Sequence, residues 1–345
     1  MLGTLIVSPL ASRIRDADAR HRITGAATAA MLDRGAAHVE VVEAGEPDAI
    51  GRISAEAVAA GSGLVVIAGG DGTVRDAAGP LAGSGIPVGI VPCGTGNLYA
   101  TAAGVPRDLD HALAAIRTGT VAPHDVGEVR LVPPAGTAPG DGTTPGTGHE
   151  ARTALASRTM PFVVACGTGF DARLIEATSR EAKRRYGVAA YFLAATRLLG
   201  HLEPVPTVLT VDGVRRELES MVVLIANCGE AIPGRLRPRL PIDPDDGLLH
   251  VFVLPQGGIV GGIRGAIELM TADATGVSPS GAGMRLLGTE IRVEVTPAGP
   301  TQVDGDVFGH FALEARLLPG RLDVIRERQW SHAGSASSNT RGRRP

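Results

Sequence analysis

Short apolar runs alternate with stretches of helical spacing through the first third of the chain. Residues 2–7, LGTLIV, stay apolar up to Ser8-Pro9, which reads as a buried strand closing in a turn. Residues 26–32 suit a helix stopped by Gly35. A strand over 38–42 and a helix over 50–60 follow. The run LVVIA at 64–68 predicts a strand entering a glycine-rich turn, and 74–81 reads as helix. Residues 86–91, IPVGIV, predict another strand, with helices over 98–103 and 109–118. Strands alternating with helices at this spacing predict a parallel, doubly wound sheet, an α/β domain over 1–128.

The pattern then changes. The stretch 133–157 contains PPAGTAPGDGTTPGTG and no apolar periodicity, so it reads as a flexible insertion. Strands are expected over 161–166, 207–211, 220–227, 248–254 and 290–296, with one helix around 180–199. This second half, 129–314, is expected to be a mostly-β, antiparallel sandwich with a helix attached. The tail 331–345 is polar and reads as disordered.

Composition narrows the function classes. The 345 residues leave room for two domains, and 44% hydrophobic with only 3% aromatic implies a core of Val, Leu, Ile and Ala. A balance of 33 basic to 36 acidic residues, net −3, lacks the positive excess of a dedicated nucleic-acid binder. Cys93, Cys166 and Cys228 lie far apart with no metal-ligand spacing and read as reduced, buried thiols. The N-terminus reaches charge too soon for a signal peptide. The apolar stretch 248–270 is interrupted by His250, Pro255, Gln256 and Arg264, a poor membrane span. A cytoplasmic protein is expected, touching a membrane, if at all, only peripherally at its inner surface. Arg180, Lys183, Arg184 and Arg185 precede an apolar run, and Arg235, Arg237 and Arg239 alternate; each set reads as a solvated face or a lipid contact.

Two glycine loops carry the chemistry. Gly69-Gly70-Asp71-Gly72-Thr73 follows the strand at 64–68 directly. Glycines let a backbone approach a ligand, and the helix behind them offers N–H groups and a positive dipole end, a combination that suits phosphate. Asp71 would be repelled by phosphate unless a cation lay between, which makes Mg²⁺ the expected mediator. Alone, the motif is equally a tight turn with an aspartate cap. The second loop, Pro92-Cys93-Gly94-Thr95-Gly96-Asn97, follows the next strand, so both loops fall at the carboxyl edge of the sheet, where open α/β sheets bind ligands. Thr95 and Asn97 can donate hydrogen bonds to phosphate or ribose. Lys183, the only lysine, does not follow GxxxxG, and no dinucleotide GxGxxG or GxSxG elbow is present.

GGDGT followed by GIVPCGTGNLYATAAGVP resembles the catalytic domain shared by diacylglycerol kinases, sphingosine kinases and bacterial lipid kinases. His124-Asp125-Val126-Gly127, CGTGFDA at 166–172, PIDPDDGLLHVFVL at 241–254 and Val303-Asp304-Gly305-Asp306 resemble further motifs of that family in the same order, over about 2–325. The resemblance implies a nucleotide-binding α/β domain, a β-sandwich domain, a C-terminal segment at 315–330 returning to the first domain, and an active site in the cleft between them. It implies that Gly69, Gly70, Asp71, Gly72 and Thr73 with Gly94, Thr95, Gly96 and Asn97 contact ATP. It makes one of Asp304 and Asp306 the general base. Asp306 is the expected one, because it stands where the family usually has Glu, and Asp304 would orient the loop or a metal. It also implies a structural Mg²⁺ held by the Asp246 side chain and the backbone oxygens of Asp243 and Leu248.

Three positions depart from the family. Ser8 replaces the Asn of Asn-Pro, Glu43 stands nearest a nucleotide-holding threonine, and Leu98 replaces an Asp after GTGN. The resemblance therefore predicts an ATP- and Mg²⁺-dependent kinase of a lipid hydroxyl. A kinase of a soluble hydroxyl compound and a non-catalytic nucleotide-binding protein stand as alternatives. The acceptor's identity and the oligomeric state are not legible in the sequence.

Overall fold

The structure, a computed structural model, describes residues 1–46, 48–133, 157–169, 204–229, 242–255, 261, 264–265, 267–269, 275–318 and 320–328. The insertion, the helix expected around 180–199, the three alternating arginines and the tail after 328 lie outside these residues, apart from Pro133 and Ser157 at the insertion's ends.

The first unit runs β1 (Leu2–Val7), α1 (Ala17–Asp33), β2 (His38–Glu43), α2 (Ala49–Ala59), β3 (Leu64–Gly69), α3 (Asp71–Leu81), β4 (Val88–Pro92), α4 (Leu98–Ala102), α5 (Leu109–Thr118) and β5 (Thr120–His124). Strands β1 and β3 are apolar on both faces because helices cover both. Leu5, Val7, Leu64 and Val66 pack with Met31 and Ile116 of α1 and α5. Ile6, Val65 and Ile67 point the other way, toward Ile53, Val74 and Leu81 of α2 and α3. The cue for α1 is its cap: Asp16 accepts from the Ala19 N–H at 2.8 Å, so the helix starts well before 26.

The second unit is built from β6 (Gly127–Val132), β7 (Arg158–Phe162), β8 (Ala165–Gly169), β9 (Val205–Val211), β10 (Val214–Ser220), β11 (Val222–Ala226), β12 (Leu249–Leu254), β13 (Gly276–Val277), β14 (Met284–Gly288), β15 (Glu290–Val295), β16 (Pro300–Val303), β17 (Asp306–His310) and β18 (Ala312–Leu317). One sheet has the order β10-β9-β15-β18-β6-β7 and the other β13-β14-β12-β11-β8-β16-β17, all pairs antiparallel. Val129, Leu209, Ile291 and Leu313 of the first meet Val223, Ile225, Val251 and Val303 of the second in one core, the sandwich that alternating strands predict.

The last strand, β19 (Leu322–Arg326), lies in the first unit's sheet, whose order is β2-β1-β3-β4-β19-β5. β19 runs parallel to β4, but β5 is antiparallel to β19, so the sheet is mixed where a wholly parallel one was expected. The chain crosses between the units twice, at 125–126 and 318–321, and the crossings are tied together. The Leu318 N–H donates to the Val126 carbonyl at 2.8 Å, and Arg321 pairs with Asp125 at 2.9 Å. Gly320 packs on Gly83, with a Cβ at 320 falling 2.6 Å from the Gly83 Cα, so a side chain there would push the units apart.

Candidate functional site

The two glycine loops sit side by side at the ends of β3 and β4, which pair in parallel register up to Gly69 and Pro92. They touch backbone to backbone: a Cβ on Gly94 would lie 2.6 Å from the Gly70 Cα. Helix α3 begins at Asp71, inside the motif, and its N-cap Gly70 has no side chain to satisfy the first N–H groups. The second loop is folded by its own asparagine. Asn97 is 2% exposed; its Oδ1 accepts from the Gly94 N–H at 3.0 Å and its Nδ2 donates to the Gly94 carbonyl at 2.9 Å. Both ends of the Asn97 amide are therefore engaged in building the loop. Thr95 and Gly96 remain exposed at the loop tip.

Asp71 also faces the second loop. Its Oδ1 accepts from the Tyr99 N–H at 3.0 Å, its Oδ2 lies 3.1 Å from where a Cβ on Gly96 would be, and the N–H groups of Leu98 and Asn97 also face it. Burial raises its pKa against the pull of those donors. The carboxylate is thus turned to the second loop and the start of α4, and it braces one loop against the other.

The VDGD segment is a two-residue hairpin turn between β16 and β17, with Val303 paired to Asp306 and positive φ at Asp304 (47°) and Gly305 (86°). This turn makes the two carboxylates diverge. Asp304 points inward and accepts from the N–H groups of Val163, Val164 and Ala165, each at 2.9 Å. The turn itself is half-exposed, but the carboxyl group is enclosed, and burial pushes its pKa up to about 6 despite the three donors. Asp306 points outward, its side chain 60% exposed, and its Oδ2 lies 4.0 Å from where a Cβ on Gly72 would be. The hairpin of the second unit and the first glycine loop therefore face one another.

The DVG and DDGL motifs also come together. Asp125 accepts from the Gly247 N–H at 2.6 Å, and burial, followed by smaller effects that include the nearby Asp246 and Asp245 charges, raises its pKa. Asp246 accepts from the Leu248 N–H at 2.9 Å and meets the His250 Nε2 at 2.8 Å, while the buried Arg285 guanidinium reaches the His250 Nδ1 at 2.6 Å. Arginine can only donate, so His250 accepts at Nδ1 and donates from Nε2. Among the described residues no group of three His, Cys, Asp or Glu side chains is arranged to hold a metal. A site made of one carboxylate and backbone carbonyls needs no such group.

Of the three departures, Glu43 has its charge met by Arg20 at 3.1 Å, Ser8 donates its N–H to the Ala68 carbonyl, and Leu98 is 38% exposed beside the second loop. Sequence reasoning missed Arg75, a buried arginine linking α3 to Asp306, and Asn227, whose amide donates to the carbonyls of Asp125 and Val163. Arg75 left one signal, a charge among the small residues of VRDAAG. A 660 Å³ concavity lies elsewhere, on the outer face of the β6-containing sheet, lined by ion pairs such as Arg292–Glu314 and Arg316–Glu128, and holds none of the loop residues. No helix among the described residues is long and apolar enough to cross a membrane.

Comparison with known proteins agrees with this arrangement. Residues 5–129 match the diacylglycerol kinase catalytic domain, and 164–326 match the YegS C-terminal NAD kinase beta sandwich-like domain. A protein named probable lipid kinase YegS-like from Pseudomonas aeruginosa is 30% identical over 266 residues, 71% of this chain and 78% of that one. A diacylglycerol kinase of Mycobacterium tuberculosis is 29% identical over 334 residues, 94% and 95% of the two chains. A protein of Synechocystis is 27% identical over 267 residues, and the chain spans only 55% of that relative's length. The crystal structure of a diacylglycerol kinase from Bacillus anthracis, 21% identical, superposes with a TM-score of 0.63 over 94% of this chain and 96% of that one, a likeness of fold. An α/β domain with two apposed glycine loops, a β-sandwich facing it and both domain matches in order place the chain in the diacylglycerol kinase and YegS-like lipid kinase family, a family of phosphotransferases.

Proposed function

We propose that the chain is an ATP- and Mg²⁺-dependent kinase that phosphorylates a hydroxyl of diacylglycerol or a similar lipid. The observation that carries this reading is the position of Asp306, exposed and directly opposite the first glycine loop. The phosphates of ATP would lie over Gly69, Gly70, Gly72 and Thr73 and over Gly94, Thr95 and Gly96, with Asp71 and Asn97 shaping the loops from behind. Support comes from the uncapped start of α3, which favours an anion, and from the close approach at Gly70 and Gly94, which leaves no room for side chains.

An aliphatic hydroxyl does not ionise at neutral pH. As its oxygen attacks the terminal phosphorus, its proton passes to Asp306, and the bond from phosphorus to the bridging oxygen breaks so that ADP leaves with the electron pair. Asp304 holds the hairpin and takes no part in that transfer. The acidic group of Asp125, Asp245 and Asp246 fits a hard cation, since three carboxylates gather there and the charges of Asp246 and Asp245 add to burial in raising the pKa of Asp125. The Asp246 side chain and the backbone oxygens of Asp243 and Leu248 would hold a Mg²⁺, which would add positive charge beside the domain crossings. A lipid acceptor would bring the cleft to a membrane surface, and the names of the P. aeruginosa and M. tuberculosis relatives support that acceptor class.

The NAD kinase-like description of the second matched domain keeps a soluble hydroxyl acceptor as a second reading. The non-catalytic reading is weakened at Glu43, where Arg20 offsets the charge that would repel phosphate. Transfer from terminally labelled ATP to a lipid extract and to a water-soluble metabolite pool tests all three. Label in the lipid fraction is expected. Label in the soluble fraction alone favours the second reading, and Mg-ATP binding with no label in either favours the third.

A further inference from the structure

Arg75 lies on the face of α3 that also carries Val74, Ala77, Ala78 and Leu81, and it is 9% exposed. A guanidinium persists in such a place only where fixed acceptors replace its water. Asp76 Oδ1 accepts from Nε at 2.8 Å, Asp306 Oδ2 accepts from Nη1 at 2.8 Å, and the Val303 carbonyl is 3.4 Å from the same Nη1. The Phe308 ring centroid is 6.0 Å from Cζ. Burial opposes the charge, but the two carboxylates outweigh it and drive the pKa of Arg75 up. Asp76 belongs to the arginine's own helix, whereas Val303, Asp306 and Phe308 all belong to the β16–β17 hairpin of the other unit. One side chain therefore ties the helix that follows the first glycine loop to the turn that carries the candidate base. Nη2 lies 3.9 Å from where a Cβ on Gly72 would be, so the guanidinium and the Asp306 carboxylate border the same point of the loop. Among the described residues, Asp306 Oδ1 has no partner.

We infer that Arg75 is a positioning residue for phosphoryl transfer, which binds Oδ2 of Asp306 and thereby presents Oδ1 to the acceptor hydroxyl above Gly72. The inference rests on the reading of Asp306 as proton acceptor. Arg75 exchanges no proton and touches no reacting atom. The hydroxyl O–H bond breaks toward Oδ1 while the new P–O bond forms and ADP departs. Asp76 fixes the plane of the guanidinium through Nε, so Nη1 meets Asp306 from one direction only. Without that bond a 60%-exposed carboxylate is free to rotate, and a displacement of about 1 Å can cost about 10²-fold in rate. A lysine, with a single point of charge, cannot hold Asp76 and Asp306 in the same geometry and should recover only part of the loss.

Two measurements on the full chain test this. In the first, kinetics with Mg-ATP and diacylglycerol in mixed micelles compare Arg75→Lys, Arg75→Met and wild type; the methionine keeps an apolar stem against Phe308. The expected result is a fall in kcat of about 10²-fold for Arg75→Met, with the KM for ATP changed less than about threefold, and partial recovery in Arg75→Lys. In the second, urea unfolding of Arg75→Met, Asp306→Asn and the double variant forms a cycle. The expected unfolding constant of the double variant departs from the product of the single effects by about threefold or more. Wild-type kcat in Arg75→Met, or effects that simply multiply in the unfolding cycle, overturns the inference. If wild type labels no acceptor, the kinase reading falls separately, and the unfolding cycle alone decides whether Arg75 holds Asp306.

Discussion

Replacing Asp304 by asparagine removes a charge that the hairpin encloses while keeping the side chain's shape. In the wild type, burial lifts the carboxyl pKa from 3.8 to about 6, against the three N–H groups of Val163, Val164 and Ala165 and the charge of Arg75, which all pull it down. A folded-state value above the unfolded one means that Asp304 favours the fold while protonated. That contribution is complete below about pH 4 and is lost as the pH rises through about 6. A rise of about two in pKa corresponds to about 3 kcal/mol, a large part of the roughly 5–15 kcal/mol that holds a typical domain. The asparagine cannot ionise, so it escapes this loss, although its amide group opposes one of the three donors and lowers stability at every pH. Urea unfolding of both proteins from pH 4 to 8 isolates the difference, since all other titrating groups are shared. The difference should move in favour of Asp304→Asn by about 3 kcal/mol across that window. A flat difference, or one that moves toward the wild type as pH rises, would show that the three N–H groups hold the carboxylate as an anion and that burial does not govern it.

Asp71→Asn keeps the bracing side chain's size but loses the charge facing the start of α4; turnover should fall by about 10²-fold or more with the fold retained, read by kinetics beside circular dichroism. Gly94→Ala puts a methyl 2.6 Å from the Gly70 backbone, so the loops must separate, and the Kd for ATP should rise about tenfold or more while the melting temperature drops only a few degrees, about 1 kcal/mol. Asn227→Ala strips the buried carbonyls of Asp125 and Val163 of their amide donor and should cost about 1–3 kcal/mol in urea unfolding.

Much of the first unit was legible because its strands are simple. LVVIA and IPVGIV are apolar on both faces, and each ends in glycines that mark the sheet's carboxyl edge. The second unit hid its details in long-range contacts. Residues 161–166 read as one strand but contain the end of β7, a break at Val163 and Val164, and the start of β8. The break exists because those N–H groups turn to Asp304, some 140 residues away in sequence. β10, VRRELES, has four charged residues on an edge strand and lacked the apolar alternation that identified its neighbours. The reversal of β5 depends on β19, supplied by the far end of the chain. The divergence of Asp304 and Asp306 was open in the sequence, and the positive φ at Asp304 and Gly305 decides it. The loop-holding contacts of Asp71 and Asn97 were hidden for a related reason: a polar residue in a glycine loop can face a ligand or hold the loop, and the sequence pattern does not show its protein partners.

The central claim is that Asp306 receives the acceptor's proton in a phosphoryl transfer from ATP. The most direct measurement follows labelled phosphate from ATP to diacylglycerol in mixed micelles for wild type, Asp306→Asn and Asp306→Glu, with Mg-ATP binding measured by calorimetry on the same proteins. The account predicts labelled lipid from wild type, none above background from Asp306→Asn, an intermediate rate from Asp306→Glu, and ATP binding within about threefold across all three. Undiminished transfer by Asp306→Asn, or transfer that fails only because ATP no longer binds, would contradict it.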